Sequence, residues 1–209
     1  MNRLKELYLK QKGYFYPVGK KWDNDNLSPE NIHCYVEKVL EYETERYRDG
    51  KPTKEYILAS SGETINENLR RGINNYKEIL EVFDNYKVKE DITVYRTVST
   101  QIYNLMEKNA KKFNGVHLFE VGILHTSLIK GCELKGSGYK LRIKVKKGTP
   151  AFYVGNLTDE ESYYYEVILV NNIKLKIISI DEYINCEVVW LKYILIVFII
   201  NYLIFGIRN

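Results

Sequence analysis

The chain has 209 residues, enough for one domain with a core of its own and too few for two independent domains. Its 31 basic and 27 acidic side chains leave a formal charge of +4 spread along the sequence, so no charged block calls for a nucleic-acid partner. Three cysteines, Cys34, Cys132 and Cys186, stand far apart without CxxC or His/Cys spacing, which argues against a zinc site or a disulfide framework and for small core residues.

The opening stretch, MNRLKELYLKQKGYF, is charged and lacks the apolar segment of a secretory signal peptide. The location it implies is cytoplasmic, or outside the cell by a non-classical route. Ser28-Pro29-Glu30 reads as a helix start, and Tyr35, Val36, Val39, Leu40 and Tyr42 follow at helical spacing until Asp49-Gly50-Lys51-Pro52 closes the element. Shorter helices are expected over 54–59, over 63–70 ending at Gly72, and over 76–86, where Ile79, Leu80 and Phe83 make one apolar stripe.

From Asp91 onward the hydrophobic period changes to two. A strand is expected over 92–98, then a helix over 100–113 carrying Ile102, Leu105 and Met106. Further strands are expected over 122–127, 139–145, 151–154, 163–170 and 173–178, with one more after Tyr183. Helices first and strands afterwards describe an α+β domain rather than a doubly wound parallel sheet. Lys135-Gly136-Ser137-Gly138-Tyr139 lacks the dinucleotide-binding spacing and reads as a turn.

Two charges stand out of pattern. In the strand over 92–98, Ile92, Val94, Arg96 and Val98 share one face, so Arg96 interrupts an apolar stripe and needs an anionic partner, a structural ion pair or an edge position. In Tyr163-Tyr-Tyr-Glu-Val-Ile-Leu-Val170 both faces are apolar or aromatic and Glu166 is the lone carboxylate, so it either serves a purpose or lies at a solvated strand end. In the strand over 140–146, Lys140, Arg142, Lys144 and Lys146 form an outward row of cations, which is either solvated or borders a phosphate-binding cleft.

Taken in order, five segments resemble the ADP-ribosyltransferase exoenzyme family, which includes C3-like exoenzymes and the enzymatic components of binary toxins. Gly62-Glu-Thr-Ile-Asn-Glu-Asn-Leu-Arg-Arg-Gly72 is similar to the family's helical "IN..LR.G" segment, and Ile92-Thr-Val-Tyr-Arg96 to the strand with its first-motif arginine. Gly122-Ile-Leu-His-Thr-Ser-Leu128 stands where the family has an S-T-S strand. Leu141-Arg-Ile-Lys-Val-Lys-Lys-Gly-Thr-Pro150 follows, and Tyr164-Tyr-Glu-Val-Ile-Leu169 resembles the E-x-E or Q-x-E strand.

The resemblance implies a helical lobe over 1–90 packed on a split two-sheet β-sandwich over 91–187, together one domain, with NAD as substrate and no metal. It also implies that Arg96 and Arg142 hold the NAD phosphates, with Asn66 and Arg70 touching the dinucleotide from the helical lobe. Glu166 would bind the 2′-hydroxyl of the nicotinamide ribose and stabilise the cationic sugar as nicotinamide leaves. Thr126 and Ser127 would pin two strands and position that glutamate.

Two departures from the family pattern matter. His125 replaces the first serine of S-T-S, and Tyr164 replaces the Glu or Gln that selects the acceptor. A tyrosine with an ordinary pKa of about 10 is a poor base near neutrality, although Glu160 and Glu161 lie in the loop just upstream. The implied function is mono-ADP-ribosyl transfer from NAD to a protein side chain, or to water; the alternative is a catalytically degenerate NAD-binding or interaction module. The apolar run over 188–207, interrupted by Lys192 and Asn201, reads as a last strand with a sticky extension, or as a membrane contact or anchor.

Overall fold

The structure, a computed structural model, describes residues 27–29, 32–133, 137–155, 157–158 and 164–189. Four α-helices precede the main sheet: α1 (Ile32–Val39), α2 (Lys54–Ser60), α3 (Gly62–Arg70) and α4 (Lys77–Leu80). A fifth, α5 (Thr100–Ala110), follows the first long strand. Thr53 caps α2 by accepting the Tyr56 amide, and Ser99 caps α5 by accepting that of Ile102, each contributing about 1 kcal/mol.

The strands are β1 (Tyr47–Arg48), β2 (Lys51–Pro52), β3 (Ile92–Ser99), β4 (Leu118–Glu120), β5 (Leu124–Ser127) and β6 (Gly138–Val145). They continue with β7 (Ala151–Tyr153), β8 (Glu166–Leu169), β9 (Ile173–Ile180) and β10 (Ile184–Val188). Eight of these form one sheet in the order β4-β9-β10-β6-β3-β5-β8-β7, antiparallel except where β10 runs parallel to β6. The α+β expectation holds.

The sheet has an uneven seam. β3 and β6 pair over eight residues, but β3 and β5 share only the Tyr95↔Ser127 pair. Where backbone pairing stops, the Arg96 guanidinium donates to the His125 carbonyl at 3.1 Å, so a side chain continues the junction between the five-stranded and three-stranded halves. Both halves supply one large apolar cluster, with Val94, Ile143 and Leu175 from one and Leu124, Val167 and Leu169 from the other. A second cluster joins α2 and α3 to the opposite face of the smaller half through Leu58, Ile65, Phe152 and Ile168.

Several sequence expectations shift. The first helix ends at Val39, well before Asp49-Gly50, which does not close it: with φ of 52° and 72° the dipeptide forms the two-residue turn of the β1–β2 hairpin. The expected helix over 76–86 divides into α4 and a 3-10 turn (Glu81–Asp84), and the tighter winding buries Val82 and Phe83 in place of Ile79 and Leu80. In α5 the fully buried face is Tyr103, Met106 and Ala110, anchored by Tyr103 stacking on Tyr139 at 4.0 Å. Only Cys186 of the three cysteines is buried, and Cys34 is exposed.

No helix among the described residues is long and apolar enough to cross a membrane. Glu160 and Glu161, and the apolar run beyond Val189, lie outside the described residues.

Candidate active site

A cleft of about 750 Å³ opens where the two half-sheets part and α2 and α3 cross the seam. It brings together Asn66, Arg70, Arg96, His125, Thr126, Ser127, Tyr164 and Glu166, all but one of the residues that the sequence singles out. The volume lies within the ordinary range for a site that encloses a small-molecule ligand.

Glu166 is the first residue of β8 rather than the middle of a longer strand. The preceding Tyr165 has φ of 48°, a left-handed conformation uncommon for a bulky residue, and the Leu128 amide donates to its carbonyl at 3.0 Å. This kink lets Tyr164 and Glu166 face the same cleft. The Glu166 carboxylate pairs with His125 Nδ1 at 2.5 Å, the ring donating in the tautomer that carries its proton on Nδ1. Nε2 is buried without a polar partner.

That nitrogen faces the first residue of α3. A Cβ added at Gly62 would lie 2.0 Å from His125 Nε2, and one added at Gly122 would lie 2.3 Å from Asn66 Oδ1. Glycine at both points is what allows α3 to close on the strand. Asn66 Nδ2 donates to the Ile123 carbonyl at 3.0 Å, and its Oδ1, like His125 Nε2, has no partner.

Thr126 donates to the Val167 carbonyl at 2.7 Å and pins β5 to β8, as the resemblance implies. The Ser127 hydroxyl instead turns back on its own loop, donating to the Ile129 carbonyl and accepting the Ile129 amide. It orders the turn after β5 and makes no bond to Glu166.

A buried carboxylate that the sequence reading did not mark, Glu120, anchors the cationic side. It accepts two bonds from Arg70, at 3.1 and 2.9 Å, and a third from the Gly122 amide. Removal from water presses the Arg96 pKa down, the nearby Glu120 carboxylate opposes this, the Arg70 guanidinium adds to it, and Glu166 again opposes it.

Arg142 is the residue not brought to the cleft. β3 pairs with β6 so that Arg96 faces Leu141 and Tyr95 faces Arg142, which puts the two arginines on opposite faces of the sheet. Arg142 is buried, 4.9 Å from the Tyr183 ring centroid, and donates to Asp181 at 3.4 Å and Asn185 at 3.3 Å. Its neighbours in the cationic row are engaged as well, Lys140 with Glu182 and Lys146 with Asp91.

The cleft wall also contains Arg46, Tyr56, Glu63, Thr97, Glu133 and Thr158. Of these, Glu133 is nearly fully buried, accepting from the Gly131 amide at 2.7 Å and from the Tyr183 hydroxyl at 3.0 Å. Burial, and then the Glu133 charge, push the Tyr183 pKa up and keep it a donor. No sequence pattern marks Glu133, because it lies in an irregular segment after β5. Among the described residues no group of His, Cys, Asp and Glu could hold a metal ion.

The model of the ADP-ribosyltransferase exoenzyme family matches residues 38–195, most of the chain and all of the cleft-lining segments, and the chain belongs to that family. Its activity is accordingly NAD-dependent mono-ADP-ribosyl transfer, with NAD as the substrate.

Among solved structures, the fold is similar to the C3 exoenzyme of Clostridium limosum at 17% identity, covering 83% of this chain and 100% of that one, with a TM-score of 0.58. It is also similar to Plx2a, an ADP-ribosyltransferase toxin of Paenibacillus larvae, at 22% identity, 78% and 96% coverage and a TM-score of 0.56. C3stau2 of S. aureus, solved with NAD, is similar at 16% identity, 84% and 96% coverage and a TM-score of 0.52. No curated protein matches the chain in sequence.

Proposed function

We propose that NAD lies along the cleft with its diphosphate at Arg96 and Arg70 and its nicotinamide ribose at Glu166. One observation carries this reading: Arg96 donates to the carbonyl of His125, whose ring donates to Glu166, so a phosphate-binding cation and a carboxylate from three adjacent strands are held in one rigid relay.

Breaking the bond between nicotinamide and ribose leaves positive charge on the sugar. Glu166 places a fixed negative charge beside it, with no reorganisation at the moment of reaction. His125 fixes the direction of that carboxylate, replacing the serine hydroxyl of the family pattern. Arg142 belongs to the support behind Tyr95 and Tyr183 rather than to the phosphate clamp. The acceptor enters past Tyr164, a hydrogen-bond donor and stacking surface, and is a protein side chain, with water as the default when none is bound.

Nicotinamide release from NAD by wild type and Glu166→Gln tests the assignment. The substitution removes the charge and keeps the shape, and turnover is expected to fall by about 100-fold or more with the melting temperature nearly unchanged. Turnover at the wild-type rate would refute it. Labelled NAD with a lysate, followed by mass spectrometry of the modified residues, identifies the acceptor.

A further inference from the structure

Three carboxylates line the cleft among the described residues: Glu63, Glu133 and Glu166. Glu166 is held by His125, and Glu133 is nearly fully buried with a bond on each oxygen, from the Gly131 amide and the Tyr183 hydroxyl. Glu63 differs from both. It is exposed, and its side chain has no hydrogen bond or ion pair among the described residues.

Its place along the cleft follows from α3. Glu63, Asn66 and Arg70 stand three and seven positions apart, which puts them on one stripe of the helix, and all three line the cleft. One end of the stripe belongs to the cations: Arg70 is bonded to Glu120, and both act electrostatically on Arg96. The other end lies at the proposed reaction centre. Gly62 packs so closely on the His125 ring that an added Cβ would come within 2.0 Å of Nε2, and that ring is bonded to Glu166. The α-carbon of Glu63, one residue on, therefore lies within about 12 Å of the Glu166 carboxylate. Arg70 is roughly 10 Å away along the helix axis. A glutamate side chain and an acceptor side chain together span the gap between Glu63 and the nicotinamide ribose.

Transfer to a nitrogen or oxygen acceptor requires a group that binds the acceptor and takes its proton. Glu166 is committed to the ribose, and Tyr164 brings a ring and a hydroxyl. A carboxylate with both oxygens free accepts two parallel N–H bonds, which the fork of a guanidinium supplies. Tyr56 and Tyr164 add aromatic surface to the same cleft, the kind a planar cation favours, and Tyr56 is itself packed on Tyr47 at 5.7 Å between ring centroids.

Resting on the NAD placement above, we propose that Glu63 is the acceptor-side carboxylate and that the acceptor is an arginine side chain. Glu63 binds the guanidinium and takes one of its N–H protons. The freed nitrogen pair bonds to the anomeric carbon of the nicotinamide ribose, while the bond from that carbon to nicotinamide breaks with its electron pair on the departing nitrogen. The proton then passes from Glu63 to water.

The test incubates the full chain with NAD and agmatine, a free guanidinium compound, and measures ADP-ribosyl-agmatine and released nicotinamide together. Wild type is expected to modify agmatine and to leave N-acetylasparagine amide unmodified. In Glu63→Gln the ratio of modified agmatine to released nicotinamide should fall by about 100-fold or more, the range for loss of a proton acceptor. Glu63→Asp, which keeps the charge, should recover part of the ratio. Wild type that cleaves NAD without modifying agmatine, or a wild-type ratio in Glu63→Gln, would overturn the proposal. So would a ratio lost in the double variant Glu160→Gln and Glu161→Gln but kept in Glu63→Gln. If Glu166→Gln is inactive and agmatine is untouched by wild type, only the Glu63 assignment falls; if Glu166→Gln still cleaves NAD, the placement of NAD falls with it.

Discussion

Arg96 and Arg142 lie on paired strands one register position apart, yet they end on different faces of the sheet. Arg96 reaches the cleft at the point where β3 and β5 stop pairing, and its guanidinium bonds a free carbonyl. Arg142, paired opposite Tyr95, is enclosed by Tyr183, Asp181 and Asn185. On the NAD placement proposed above, a guanidinium serves a ligand where the fold leaves a gap in its hydrogen bonding, and is structural where the fold closes around it. The break in pairing between β3 and β5, next to which Arg96 lies, makes the difference.

Substitutions can break that contrast. The largest effect is expected for Arg96→Met, which should lower kcat/KM for NAD by about 100-fold to 1000-fold with most of the loss in KM, since the phosphate contact goes with the guanidinium. Arg142→Met should do the reverse. It removes the donor to the buried Asn185 Oδ1 and lowers stability by about 2 kcal/mol in a denaturant titration, while KM for NAD stays within about threefold. Matching effects from the two would mean the faces are not distinct in function.

A smaller effect is expected at the anchor of the cationic side. Glu120→Gln keeps one acceptor oxygen, sets an amide NH2 against the Arg70 guanidinium and removes the charge that offsets both guanidiniums, and should cost about 1–2 kcal/mol of stability and raise KM for NAD. Loss of stability without any change in KM would make Glu120 purely structural.

Helix and strand meet at a point that a pair of substitutions can probe. Gly62→Ala drives a methyl into the His125 ring and should lower stability by about 1–3 kcal/mol. In a His125→Ser background the same change should be nearly neutral, a coupling of at least about 1 kcal/mol. Additive effects would mean that α3 does not rest on the imidazole. The smallest effect belongs to Tyr164→Phe: nicotinamide release should stay within about threefold, because cleavage is assigned to Glu166 and not to this hydroxyl, and only transfer to the acceptor should change.

Much of this was legible in the sequence because alternation and helical spacing report burial directly. Arg96 on an apolar stripe and Glu166 in an apolar run both turned out to face one cleft. What was hidden depended on contacts between distant segments. Glu120 gains its meaning from Arg70, 50 positions away, and Glu133 from Tyr183, also 50 positions away; no local period encodes either. Arg142 misled because a cation row reads alike whether it faces water or is enclosed by aromatic rings. The β1–β2 hairpin is encoded locally, because Asp49-Gly50 is a dipeptide that favours a two-residue hairpin turn.

The most direct test is a crystal structure of Glu166→Gln with NAD. The expected result places the diphosphate within hydrogen-bonding reach of Arg96 and the nicotinamide ribose against residue 166. Dinucleotide bound elsewhere on the molecule, or in this cleft with its diphosphate away from Arg96, would contradict the account.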